Sequence, residues 1–332
     1  MKSFLNISTR VVLLSPLFIA MGCQKELKDK GSINGPSSSS NAVVTREYWV
    51  TPSKTDPAIT TFQSQHFLQV QTGGVLKNNL VVYIPGTNRT PSSSKAFTIK
   101  AASMGYHAIS LSYQNTTAGN PLCSPTGDLT CHERLRREVI DGIDRHASVV
   151  VTPTNSVINR LTKLLIYMAG LQPSQGWGQY IVNGQINWSK VIVAGHSQGG
   201  ALAGVIGKFY PVKRVIMFSM VDFLNNNQIP SWEKLPANND KYFSLINQND
   251  ELVPWPRVKI VWNGTGWMTY GTYKNVDYTA PPYSNTHLLI SNTKSPSTSV
   301  DPYHNMTGVD SYIPKNAQGK YVYEKAWEYL LQ

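Results

Sequence analysis

The sequence predicts an α/β protein: a mostly parallel central sheet flanked by helices on both faces. Two stretches carry this reading. Asn79–Ile84, a helix from about Ser94 to Met104, and His107–Tyr113 follow one another as strand, helix, strand. That spacing is a βαβ unit, and its strands are parallel. Further on, Val191-Ile192-Val193-Ala194 is a short apolar run of the kind that forms a buried strand. It leads into Gly195-His196-Ser197-Gln198-Gly199 and then into small residues that can start a helix.

The chain has 332 residues, enough for one large α/β domain or two small ones. Charged residues make up 15% and apolar residues 41%, which is compatible with a sizeable core and carries no signature of disorder. Residues 1–22 read as a secretory leader, with Lys2 and Arg10 as its basic part and Val11 to Ala20 as its apolar part. Ala20-Met21-Gly22-Cys23 resembles a bacterial lipobox, although Ala20 stands where leucine is usual. The resemblance implies cleavage before Cys23, lipidation of that cysteine, and anchoring at the outer membrane. The alternative is ordinary secretion. Residues 23–42 are polar and serine-rich, as expected of a tether, and 43–332 form the globular domain.

Removal of the leader leaves 28 basic and 19 acidic residues, so the formal charge falls from +11 to +9. The basic residues are scattered and no nucleic-acid-binding motif is present, so nucleic acid is not an expected partner. The one cluster, Arg134, Arg136 and Arg137, is expected on a solvated helix face.

Within the domain, Glu47–Val50 and His66–Gln71 are expected as opening strands. In the loop 114–131, Cys123 and Cys131 are the cysteines left once Cys23 is set aside. In an exported chain they favour a disulfide over a metal site with His132, which lacks further ligands. Leu135, Val139, Ile140 and Ile143 share one helical spacing, and Val157, Leu161, Leu164, Leu165 and Met168 another. The second of these helices has Thr154-Asn155-Ser156 as its capped start and Gly170 as its stop. Trp177 and Trp188 are expected to pack. Strands follow at Val212–Phe218, Lys241–Ile246 and His287–Ser291. Residues 255–286 show no helical period. A closing helix over 322–331 is expected to turn Val322, Ala326, Trp327 and Leu330 inward.

G-x-S-x-G between a strand and a helix lifts the serine clear of the sheet, and a Cβ at Gly195 or Gly199 would collide with the crossing backbone. The stretch resembles the nucleophile elbow of the α/β-hydrolase family. The resemblance implies that fold over residues 43–332, serine hydrolysis without a cofactor, and a triad in the order serine, acid, histidine. Ser197 is the expected nucleophile. Asp250, in the polar turn after a hydrophobic strand, is the expected acid, with Asp222 and Glu251 as rivals. His304, between the last strand and the last helix, is the expected base, with His287 as its rival. His66, His107 and His132 are expected to be structural, and the His196 side chain to point away from the nucleophile. The backbone amides of Gln198 and Thr87 are the expected oxyanion donors. Thr87 departs from the His-Gly-Gly pattern of lipases.

The expected substrate is a small or polymeric ester, or an amide. Arg89 and the basic balance hint that it is anionic. The aromatics of 224–286, among them Trp232, Trp255, Trp262, Trp267, Tyr273 and Tyr278, fit either a binding platform or plain packing. An amidase or depolymerase on the same triad, and a non-catalytic binding lipoprotein, are the competing expectations.

Overall fold

Alternate residues of the central strands feed two separate cores, one on each face of the sheet. The computed structural model describes residues 43–234 and 240–332. The leader, Cys23 and the tether expected over 1–42 lie outside the described residues. In chain order the first elements are β1 Val44–Val50, α1 Pro52–Thr55, β2 His66–Thr72, β3 Leu80–Ile84, α2 Ala96–Ser103, β4 His107–Ser110 and α3 Gly119–Cys123. Next come α4 Cys131–Asp141, α5 Val157–Leu171, the ribbon of β5 Ile181–Val182 and β6 Gln185–Ile186, β7 Val191–His196 and α6 Gln198–Phe209. The chain closes with β8 Arg214–Phe218, β9 Tyr242–Asn247, α7 Trp255–Gly264, β10 Lys274–Asn275, β11 Leu288–Ser291, α8 Pro302–Asn305 and α9 Glu324–Leu331.

The nine-stranded sheet has the order β1-β2-β4-β3-β7-β8-β9-β11-β10. From β4 to β10 every pairing is parallel. At the other edge β2 pairs antiparallel with both β4 and β1, so the sheet is mixed. The chain is thus α/β, with a mostly parallel sheet. Leu80, Val82, Ile84, Val191 and Val193 face a core closed by α4, α5, α6 and α7. Val81, Tyr83, Ile192, Ala194 and Phe218 face a second core closed by α2 and α9. This is the period-two alternation of a strand buried on both sides.

Several elements differ from expectation. Gly170 does not stop α5, which continues to Leu171 and ends before Pro173, a residue that cannot extend it. Helix α4 ends earlier than its apolar spacing implied: Gly142 turns left-handed at φ 78° and leaves Ile143 exposed. Val322 precedes α9 and is exposed, whereas Ala326, Trp327 and Leu330 are buried. Residues 255–264 form a helix, α7, whose buried face is Val258, Val261 and Trp262. That spacing is helical, but the surrounding aromatics and glycines hide it.

Most of the aromatics of 224–286 pack, while Tyr273 and Tyr278 are exposed. Trp232, Trp262, Trp267 and Tyr283 are buried, Trp255 stacks edge-on against Trp262, and the most exposed of the group is Tyr278. Trp177 is buried and Trp188 half-buried against Tyr210, as expected of packing residues. Cys123 and Cys131 are joined in a disulfide that ties α3 to α4. The histidine beside the two sulfurs is His146, not His132; its Nε2 lies 3.4 Å from Cys131 Sγ. Among the described residues no helix is long and apolar enough to cross a membrane.

Candidate active site

The chain leaves β3 toward β4 on one side and later returns to place β7 on the other. A crevice opens at such a switch point, beyond the C-terminal ends of the strands. The loops after β3, β7, β9 and β11 meet there around a cavity of about 540 Å³.

Ser197 stands between β7 and α6 at φ 54°, ψ −123°, outside the regions a serine normally occupies. Its N–H donates to the Phe218 carbonyl at 2.9 Å, and its carbonyl accepts the Ala201 N–H at 3.0 Å. The turn is that tight because the helix starts directly under the sheet. A Cβ on Gly199 would strike the Ile84 carbonyl, and one on Gly195 the Gly199 carbonyl. Ser197 is only half-buried and lines the cavity.

Asp250 follows β9, as the sequence order requires. Its Oδ1 accepts the Leu252 and Val253 N–H groups at 3.0 and 2.8 Å, which fixes the carboxylate in place. His304, in α8, donates from Nδ1 to the two Asp250 oxygens at 2.9 and 3.0 Å. Both side chains are buried. With Nδ1 carrying the proton, Nε2 is left as the acceptor of the ring. His304 lines the same cavity as Ser197, and among the described residues its ring bonds only to Asp250, with no hydrogen bond to Ser197.

The rival residues lie elsewhere. Asp222 is fully buried: Arg136 Nη2 donates to it at 2.9 Å and Trp232 Nε1 at 2.8 Å. Burial alone would raise its carboxyl, but the Arg136 and His132 side chains more than offset this and leave it below the ordinary carboxylate range. Arg136 is therefore not on a solvated helix face, as its neighbours Arg134 and Arg137 are; it is 2% exposed. His287 is sandwiched between Phe243 and Tyr270 and its Nδ1 bonds the Tyr242 carbonyl, away from the cavity. Glu251 accepts the backbone N–H groups of Tyr303 and His304 at 3.2 and 2.9 Å. His66, His107 and His132 are buried and hydrogen-bonded within the fold.

The role of His196 is not apparent from the sequence. Its ring lies 4.8 Å from that of His304, and its Nε2 donates to the His304 carbonyl at 2.8 Å. Burial, reinforced by the nearby Arg89 charge, holds His196 well below the usual histidine range, so it is a neutral donor. His304 is thus held at its ring by Asp250, at its N–H by Glu251 and at its carbonyl by His196.

After β3, the loop Gly86–Arg89 faces the elbow. A Cβ on Gly86 would lie 2.9 Å from His196 Nδ1 and 3.3 Å from the Ser197 Cβ, so the close approach requires glycine. Asn115 pins this loop, donating from Nδ2 to the Gly86 and Arg89 carbonyls at 2.8 and 2.7 Å. Thr87 Oγ1 donates to Gln198 Oε1 at 2.7 Å and so joins the loop to the first residue of α6. Thr87 and Gln198 both line the cavity, and neither backbone N–H has a partner among the described residues. Two backbone amides left free beside the half-buried Ser197 are the kind of donors that can receive an oxygen anion.

No protein-family model matches the chain, and no curated protein matches it.

Proposed function

We propose that the protein is a serine hydrolase of the α/β-hydrolase type that cleaves carboxylic esters through an acyl-enzyme. The observation that carries the reading is the Asp250–His304 pair, whose histidine lines one cavity with a serine at a strained strand-to-helix turn.

In this reading the Ser197 oxygen attacks the ester carbonyl carbon while its proton passes to His304 Nε2. The carbonyl oxygen takes the negative charge and is met by the Thr87 and Gln198 amides. When the tetrahedral adduct collapses, the carbon–oxygen bond to the alcohol breaks and His304 returns the proton to that oxygen. Water then attacks the acyl-serine with His304 again as base, releasing the acid and restoring Ser197. Asp250 holds the ring tautomer and stabilises the imidazolium; it does not take the proton. Each amide contributes about 3 kcal/mol of transition-state stabilisation if it behaves as oxyanion donors do elsewhere. The lipobox-like Ala20–Cys23 sequence is the basis for further proposing export and a lipid anchor at the outer membrane.

A fluorophosphonate probe tests the reading. It should label the protein, and Ser197→Ala should abolish labelling while lowering kcat on p-nitrophenyl esters by roughly 10⁴-fold or more. Labelling that survives the substitution removes Ser197 as nucleophile.

A further inference from the structure

The cavity wall is rich in hydrogen-bond donors that the fold leaves without acceptors. Arg136, 2% exposed, lines the cavity from α4. Its Nη2 is taken by Asp222, but Nε and Nη1 have no partner among the described residues. Gln198 Nε2, also buried and cavity-lining, is unpartnered as well. Buried donors without acceptors are costly, and native proteins keep few of them without a functional reason.

The charges are arranged to match. Of the Arg136–Asp222 pair, only the cation lines the cavity. Glu233, the other buried acid of this cluster, does not line the cavity; burial and the Asp222 charge push it well above the usual carboxylate range. Arg89 also lines the cavity; it donates to Asn305 Oδ1 and forms no ion pair among the described residues. Asp301 is the one carboxylate residue on the lining. Pro121, Pro125, Met220 and Phe223 supply apolar wall around these donors. Helix α3 lies directly over the guanidinium, because Gly119 has no side chain to displace it.

We infer that the cavity takes an ester whose acyl chain ends in a second, ionised carboxylate, a dicarboxylic half-ester, with Arg136 as the anchor for that carboxylate and Arg89 as a second attracting charge. This rests on the hydrolase reading of Ser197 and His304. A carboxylate on the acyl side stays anchored through both acylation and deacylation, and a guanidinium is the side chain best suited to hold it.

The test pairs two esters of nearly equal size, p-nitrophenyl hydrogen glutarate and p-nitrophenyl methyl glutarate, with purified full-length protein. The charged ester should be preferred in kcat/KM by roughly tenfold or more, mainly through KM. In Arg136→Met/Asp222→Asn, where no buried charge is left unpaired, the ratio should fall to about one. In Arg89→Gln, which does not disturb the buried cluster, it should fall partway. Independently of turnover, glutarate should raise the Tm of the parent protein, and the double variant should not respond. A protein that labels with fluorophosphonate yet shows no charge preference overturns the inference and leaves the hydrolase reading intact. A protein that does not label overturns the hydrolase reading, and the glutarate Tm shift then decides the anion site by itself. Absence of that shift overturns the site.

Discussion

Glu251 follows Asp250 directly, yet the two carboxylates serve different atoms of the same histidine. Asp250 holds the His304 ring, and Glu251 caps the backbone from which the ring projects. Glu251→Gln keeps the shape but offers one acceptor oxygen to the two N–H donors, so one of the two backbone bonds is lost together with the charge. The expected result is a fall in kcat of roughly fivefold, the equivalent of about 1 kcal/mol, with KM unchanged and fluorophosphonate labelling slowed in parallel. If Glu251 were the acid of the triad, the loss would approach that of Ser197→Ala. The sequence places both carboxylates in one turn, and only their hydrogen bonds separate the two roles. Arg136 and His196 were less legible still. Their decisive partners, Asp222 and the His304 carbonyl, lie 86 and 108 residues away in the chain. No local pattern announces such a contact, and an arginine flanked by Arg134 and Arg137 reads as surface.

Elements defined by local rules are more legible. Strands β3, β7, β8 and β9 follow from short apolar runs, and the elbow from two glycines at fixed positions around a serine. What the runs could not supply was direction at the β1–β2 edge, because pairing is a long-range property. Helix α7 was obscured because propensity and composition compete in a segment so rich in aromatics. The glycines of two helices provide a paired test of the layering. Gly199→Ala in α6 would drive a methyl group into the Ile84 carbonyl, and the variant should be insoluble or unfolded when circular dichroism and solubility are measured. Gly170→Ala in α5 meets nothing within 4 Å and should stabilise the protein by about 0.5–1 kcal/mol in urea unfolding. A soluble, fully active Gly199→Ala would contradict the crossing of α6 beneath β3.

Acid should be the weakness of the whole fold. His66, His107, His132, His196 and His287 are all held below the ordinary histidine value, in each case first by burial, and His66 is lowered to about 3. The unfolded chain takes up these protons from about pH 6.5 downward while the folded chain refuses them. Stability from this source is therefore whole above about pH 6.5 and is lost as the pH falls. Glu233 and Asp310, both pushed up by burial, act in the opposite sense: their contribution is whole in acid and is lost as the pH rises through their raised values. Calorimetry between about pH 6.5 and pH 4 should show Tm falling as acid is added. His66→Asn, whose amide oxygen can take the Ser112 N–H in place of Nδ1, should flatten that fall. A parent Tm that does not change over this range would mean that the histidines are not buried as described.

The bridge between Cys123 and Cys131 bears on how the protein can be made. It fastens α3, only five residues long, to the helix that carries Arg136. So short a helix has little stability of its own. Material matured in an oxidising compartment would have that panel bolted down, whereas material harvested from a reducing cytosol would have it hanging loose. Two preparations with identical sequences and the same intact elbow would then differ in how well they tell one substrate from another.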